Sequence, residues 1–128
     1  MVVAILQLEG LKMKTLFLTL LAVAAFAQDA PKHFLIEFAL APGVDIMHLT
    51  QPQMNTFKQH GAQLMKLRDE GVVITGGRTD NPRTMRAIAI VKAKDAAAAR
   101  ALADADPAVQ AGLLKPSVEP FTLAVPPK

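Results

Sequence analysis

The chain has 128 residues, 52% of them apolar, with 14 Lys and Arg against 11 Asp and Glu and no cysteine. That length holds one domain with at most an appendage, and the missing cysteines exclude disulfide scaffolds, thiolate metal sites, cysteine nucleophiles and a lipidated N-terminal cysteine. The net charge of +3 comes without a basic block or aromatic–basic interleaving, and Trp and Tyr are absent, so neither a nucleic-acid partner nor an aromatic stacking platform is expected.

Mean hydropathy is +0.29, and one segment carries the excess. Lys12-Met13-Lys14 precedes the apolar run Thr15–Ala27, which closes on Ala25-Phe26-Ala27. A basic start, an apolar middle and a small-x-small ending are the parts of a secretory signal peptide. The run is too short to span a bilayer, which takes about 20 residues; a retained N-terminal anchor is the alternative reading. Residues 1–27 are therefore expected to be a signal peptide cut after Ala27. The remaining 28–128 form a single domain, secreted or periplasmic, with no stable membrane anchor. The second apolar stretch at Met1–Leu6 is foreign to such a segment, and a translation start at Met13 accounts for it.

His33–Leu40 is aromatic and branched enough for a strand, with Phe34, Ile36, Phe38 and Leu40 on one face and His33, Leu35, Glu37 and Ala39 on the other. Ala41-Pro42-Gly43 ends it. Thr50–Glu70 reads as a helix stopped by Gly71, with an apolar stripe of Met54, Phe57, Leu64, Met65 and Leu67 and with His60 at its margin. Val72–Thr75 is a second strand leading to Gly76-Gly77. A turn over Arg78–Arg83 returns it to a third strand, Thr84–Lys92. Asp95 caps an Ala-rich helix that runs to about Ala105, and Asp106-Pro107 starts a short helical turn ending at Gly112. Pro116–Leu123 is a fourth strand whose prolines place it at an edge.

The order strand, helix, strand, strand, helix, strand predicts an α+β, ferredoxin-like βαββαβ fold: a four-stranded antiparallel sheet with both helices on one face. The other face keeps apolar residues, and a second copy of the chain is the simplest cover for it.

The residues His60, Arg68–Gly77, Ala103–Pro107, Ala111-Gly112-Leu113 and Val118–Phe121 fall in an order and spacing that resembles the YciI-like (YCII-related) family of the dimeric α/β barrel superfamily. The resemblance spans about His33 to Val125. It implies ferredoxin-like protomers whose sheets pair as a homodimer around a cavity for a small-molecule ligand, a plan similar to muconolactone isomerases and small monooxygenases. It also implies a His–Asp active-site pair, here His60 and Asp106. Two positions depart from the family pattern: Phe57 stands where an Arg is common, and Ala108 where an aromatic is common.

His60 reads either as a general acid/base oriented by a carboxylate or as a structural histidine bonded to backbone. Asp106 before Pro107 is also what a helix N-cap looks like. His33 and Glu37 share the strand face that would look into a dimer cavity, and Arg86, on the face of Ile88 and Ile90, would reach it too; these three are the candidate ligand-binding residues. Arg78 and Arg83 flank the turn and read as solvated, as does His48. The histidines show no metal-ligand spacing, so neither metal nor cofactor is expected. The functional expectation is proton transfer of the isomerase or lyase type on a small cyclic or aromatic metabolite; the alternative is a non-catalytic ligand-binding or sensor dimer.

Overall fold

The structure, a computed structural model, describes residues 32–128; the expected signal segment lies outside the described residues. Seven elements follow in order: β1 (Lys32–Leu40), α1 (Gln51–Asp69), β2 (Val73–Arg78), β3 (Arg86–Ala93), α2 (Ala96–Asp104), α3 (Pro107–Gln110) and β4 (Leu114–Phe121). The strands form one antiparallel sheet in the order β2-β3-β1-β4. This is the predicted ferredoxin-like arrangement, with β4 at an edge, where Pro116 and Pro120 remove no ladder bond from a central strand.

Strand period fixes the core. Phe34, Ile36 and Phe38 point to one face and are 2–3% exposed, packed with Val73, Ala89, Val91, Ala99, Ala103 and Ala108. Each aromatic stabilises the fold by roughly 1.5–3 kcal/mol through burial. The small side chains of α2 let it lie close on this face, with Asp95 accepting from the Ala98 N–H at 2.8 Å as the expected N-cap. The opposite face pairs Leu35 with Ile90 and Glu37 with Ile88, and Ile88 remains 40% exposed there.

Helix α1 begins at a full capping box: Thr50 accepts from the Gln53 N–H while the Gln53 side chain accepts from the Thr50 N–H. It ends at Gly71, whose φ of 78° only glycine adopts readily. Its rotation differs from the apolar stripe read in the sequence. The half-buried positions are Gln53, Thr56, Phe57, His60, Gln63, Leu64 and Leu67, while Met54 and Met65 face out at 39% and 52% exposure. At about 100° per residue the inward face is turned by roughly 60–70° from the apolar stripe, and His60 lies at its middle. This orientation brings His60 to a polar partner, described below, that the apolar pattern does not contain.

Strand β2 also departs from expectation. It continues through Gly76 and Gly77 to Arg78, with an irregularity in register between Val73 and Thr75. A Cβ on Gly76 would stand 2.8 Å from the Ile88 carbonyl oxygen, so glycine is what allows β2 to approach β3 there.

Candidate active site

Asp106 sits between α2 and α3, and its two carboxylate oxygens have separate duties. Oδ1 accepts from the Ala108 N–H at 2.8 Å and from the Val109 N–H at 3.4 Å, capping α3. Oδ2 lies 2.6 Å from His60 Nδ1, 46 residues away in sequence. The side chains are 3% and 13% exposed respectively. A carboxylate only accepts, so Nδ1 carries the hydrogen and donates it. The ring is held from a second direction by Phe38, edge-to-face with centroids 5.2 Å apart and planes at 80°. Tautomer and orientation are both set, and Nε2 is the nitrogen left for a ligand. Asp106 is thus at once the cap of α3 and a hydrogen-bond partner of His60.

His60 lines a cavity of about 580 Å³ between α1 and β2. Its other walls are apolar (Leu64, Met65, Val73, Ile74, Ala87, Ile88 and Ala89), with Arg68 and Arg78 also lining it. No fully buried residue occurs on α1. The size is within the range of small-molecule pockets.

The three expected ligand-binding residues do not join this pair. Glu37 and Arg86 line a second cavity of about 480 Å³ on the opposite face of the sheet, with Thr75, Gly77, Arg78 and Thr79. His33 lies at the other end of β1, in a cavity of about 680 Å³ with Lys32, Asp95 and Phe121. Strand alternation put His33 and Glu37 on one face correctly, but four residues along a strand separate them by roughly 13 Å. Arg78 and Arg68 were missed as lining residues. Arg78 borders both cavities beside β2, and Arg68 was within reach of sequence reasoning: His60, Leu64 and Arg68 recur every four residues on one helix ridge.

Elsewhere, exposed Asp45 accepts from the Met47 N–H and from His48 Nδ1 at 2.9 and 2.8 Å. The His48 hydrogen bond, with help from the Met47 N–H, holds the Asp45 carboxyl below its ordinary range. Among the described residues no group of three or more His, Asp or Glu side chains is placed to hold a metal ion, and no helix is long and apolar enough to cross a membrane.

Residues 22–122 match the YCII-related domain family. The chain belongs to that family. No curated protein matches it. Among solved structures it is similar to 5-chloro-2-hydroxyhydroquinone dehydrochlorinase from Burkholderia phenoliruptrix in complex with 2,5-dihydroxybenzoquinone. The two share 23% identity over 70% of this chain and 93% of that one, with a TM-score of 0.55. At that identity the likeness concerns the fold. Of the two positions noted in its sequence, Phe57 packs partly buried against the core, and Ala108 is the buried residue of α3, 0% exposed.

Proposed function

We propose that this YCII-related protein is an acid–base enzyme acting on a small cyclic or aromatic metabolite in the cavity between α1 and β2. His60 is its proton-transfer group and Asp106 the residue that orients it. The carrying observation is the 2.6 Å contact between a nearly buried carboxylate and His60 Nδ1, which leaves Nε2 for a ligand in a largely apolar cavity. Nε2 takes a proton from one position of the ring. It returns that proton at another position, giving isomerisation, or a neighbouring group departs with its bonding electron pair, giving elimination. The fold neighbour is by name a dehydrochlorinase of a hydroxyhydroquinone, which is a reaction of the second kind and supports substituted hydroquinones as the first substrates to try.

The sheet face opposite the helices, with Leu35 half-buried and Ile88 40% exposed on it, supports a homodimer formed face to face. Such a dimer would cover the Glu37–Arg86 cavity, which shares Thr75–Arg78 and Ile88 with the His60 cavity. The N-terminal segment supports export as the setting.

The test is a set of halogenated and hydroxylated hydroquinones offered to the wild type and to His60→Asn, followed by quinone absorbance and halide release. Proton transfer at a positioned side chain contributes roughly 10²–10⁴-fold, so the variant should lose about that much of kcat. Equal turnover by the variant overturns the role of His60. A ring ligand that binds without turnover favours the binding-module reading, to which the Phe57 and Ala108 departures also lend weight.

A further inference from the structure

We infer that the ligand of the His60 cavity is a ring-bearing organic anion, a carboxylate or phenolate, and that Arg78 selects it by charge. The inference rests on the proposed small-molecule role of the same cavity and names the class of molecule it takes.

The lining contains three side chains able to carry positive charge, His60, Arg68 and Arg78, and no Asp or Glu. The two arginines differ. Arg68 donates through Nε and Nη2 to Asp69 Oδ1 at 3.2 and 2.9 Å, so a carboxylate already answers its charge. Arg78 makes no ion pair among the described residues. Arg78 is exposed, and the one hydrogen bond from its guanidinium among the described residues is a long one, from Nη1 to Met85 Sδ at 3.8 Å, a thioether being a weak acceptor. Glu37 borders the neighbouring cavity, which Arg78 also lines, yet the two side chains form no ion pair. Arg78 therefore stands at the cavity as a planar, permanently charged fork with its donors uncommitted, the geometry that takes a carboxylate through paired hydrogen bonds.

Backbone placement supports the role. Arg78 is the last residue of β2 and follows Gly76 and Gly77, which carry no side chain to stand between it and the cavity. Its neighbour on β3 is Ala87, again small. The apolar walls from Leu64, Met65, Ile74 and Ala89 suit the uncharged body of the ligand, and a ring is the compact apolar body that fills a slot between a helix and a sheet. A phosphate monoester would suit the guanidinium as well, but the lining includes no helix N-terminus of the kind that holds such groups.

The experiment compares benzoate with benzyl alcohol, which share the ring and differ in charge. Binding is measured by NMR titration at low ionic strength on the wild type, Arg78→Gln and His60→Asn. Benzoate is expected to bind the wild type at least about tenfold more tightly than benzyl alcohol, the scale of one hydrogen bond to a charged group. Arg78→Gln should remove that preference while leaving the benzyl alcohol affinity within about twofold. His60→Asn should keep it. Equal affinity of the two ligands for the wild type, or a preference that survives in Arg78→Gln, overturns the inference. A preference lost in His60→Asn but kept in Arg78→Gln overturns it too, since the histidine then carries the charge recognition. The outcome is separable from the catalytic reading: unimpaired turnover by His60→Asn defeats proton transfer at that residue and leaves the anion preference standing.

Discussion

Replacing Asp106 by Asn exchanges one carboxylate oxygen for an NH2 group and keeps the shape. The amide oxygen can remain where Oδ1 is, accepting from the Ala108 N–H at 2.8 Å, and Asn caps helices about as well as Asp. The NH2 then occupies the place of Oδ2, 2.6 Å from His60 Nδ1. An NH2 only donates, so Nδ1 must accept and the ring hydrogen moves to Nε2. A charge-assisted hydrogen bond worth about 1.5–3 kcal/mol becomes a neutral one worth about 0.5–1.5, a loss of roughly 1 kcal/mol. For a domain of this size that is a fall of about 4–8 °C in Tm. Asp106→Ala should cost more, because it adds the lost cap, about 1 kcal/mol, to an imidazole N–H left without acceptor, about 1–3 kcal/mol. The chain has no Trp or Tyr, so unfolding is followed by circular dichroism in urea. Activity should fall in Asp106→Asn by about 10²–10⁴-fold, out of all proportion to its stability. Full activity in Asp106→Asn would refute the orienting role. Equal stability of the Asn and Ala variants would refute the shared cap.

Gly76 and Gly77 should part company: Gly76→Ala meets the Ile88 carbonyl oxygen at 2.8 Å, whereas a Cβ on Gly77 meets nothing within 4 Å. The first should destabilise by about 1–3 kcal/mol and the second should be neutral or slightly stabilising, both read from urea midpoints. Asp45 should titrate by NMR below 3.8, and His48→Ala should return it toward that value. A carboxyl lowered in the folded state stabilises above its unfolded value and loses that contribution as the pH falls through the folded one. The contribution of Asp45 is therefore lost as the pH falls through its folded value, and an Asp45 midpoint unmoved in His48→Ala would contradict the pairing.

Much of the fold was legible because local chemistry and global packing agree. The N-caps Asp95 and Asp106, the helix stop at Gly71 and the alternation of Phe34, Ile36 and Phe38 each point to the element observed. The rotation of α1 was not legible. Met54 and Met65 look like core residues by hydropathy, but the face turned inward is the one that carries His60 to a carboxylate 46 residues away, and no periodicity contains that contact. Gly76-Gly77 was misread as a strand terminus for a related reason: glycine marks turns in sequence, and here it serves a close approach between two strands that only the register reveals. At the site, the His60–Asp106 partnership was legible through family resemblance and not through spacing. Glu37 and Arg86 were placed on the right face, yet that face is the one turned away from His60. Arg78 read as solvated and is exposed, but its place beside two cavities was not legible while β2 was ended too early.

The most direct test of His60 as an oriented proton carrier is the nitrogen-15 NMR spectrum of its ring, recorded above its titration in the wild type and in Asp106→Asn. His48, with its side chain 83% exposed, serves as the reference in the same sample. The hydrogen is expected on Nδ1 in the wild type and on Nε2 in the variant, because a carboxylate accepts and an amide NH2 donates. A wild-type ring with its hydrogen on Nε2 would contradict the pairing and, with it, the proposed chemistry.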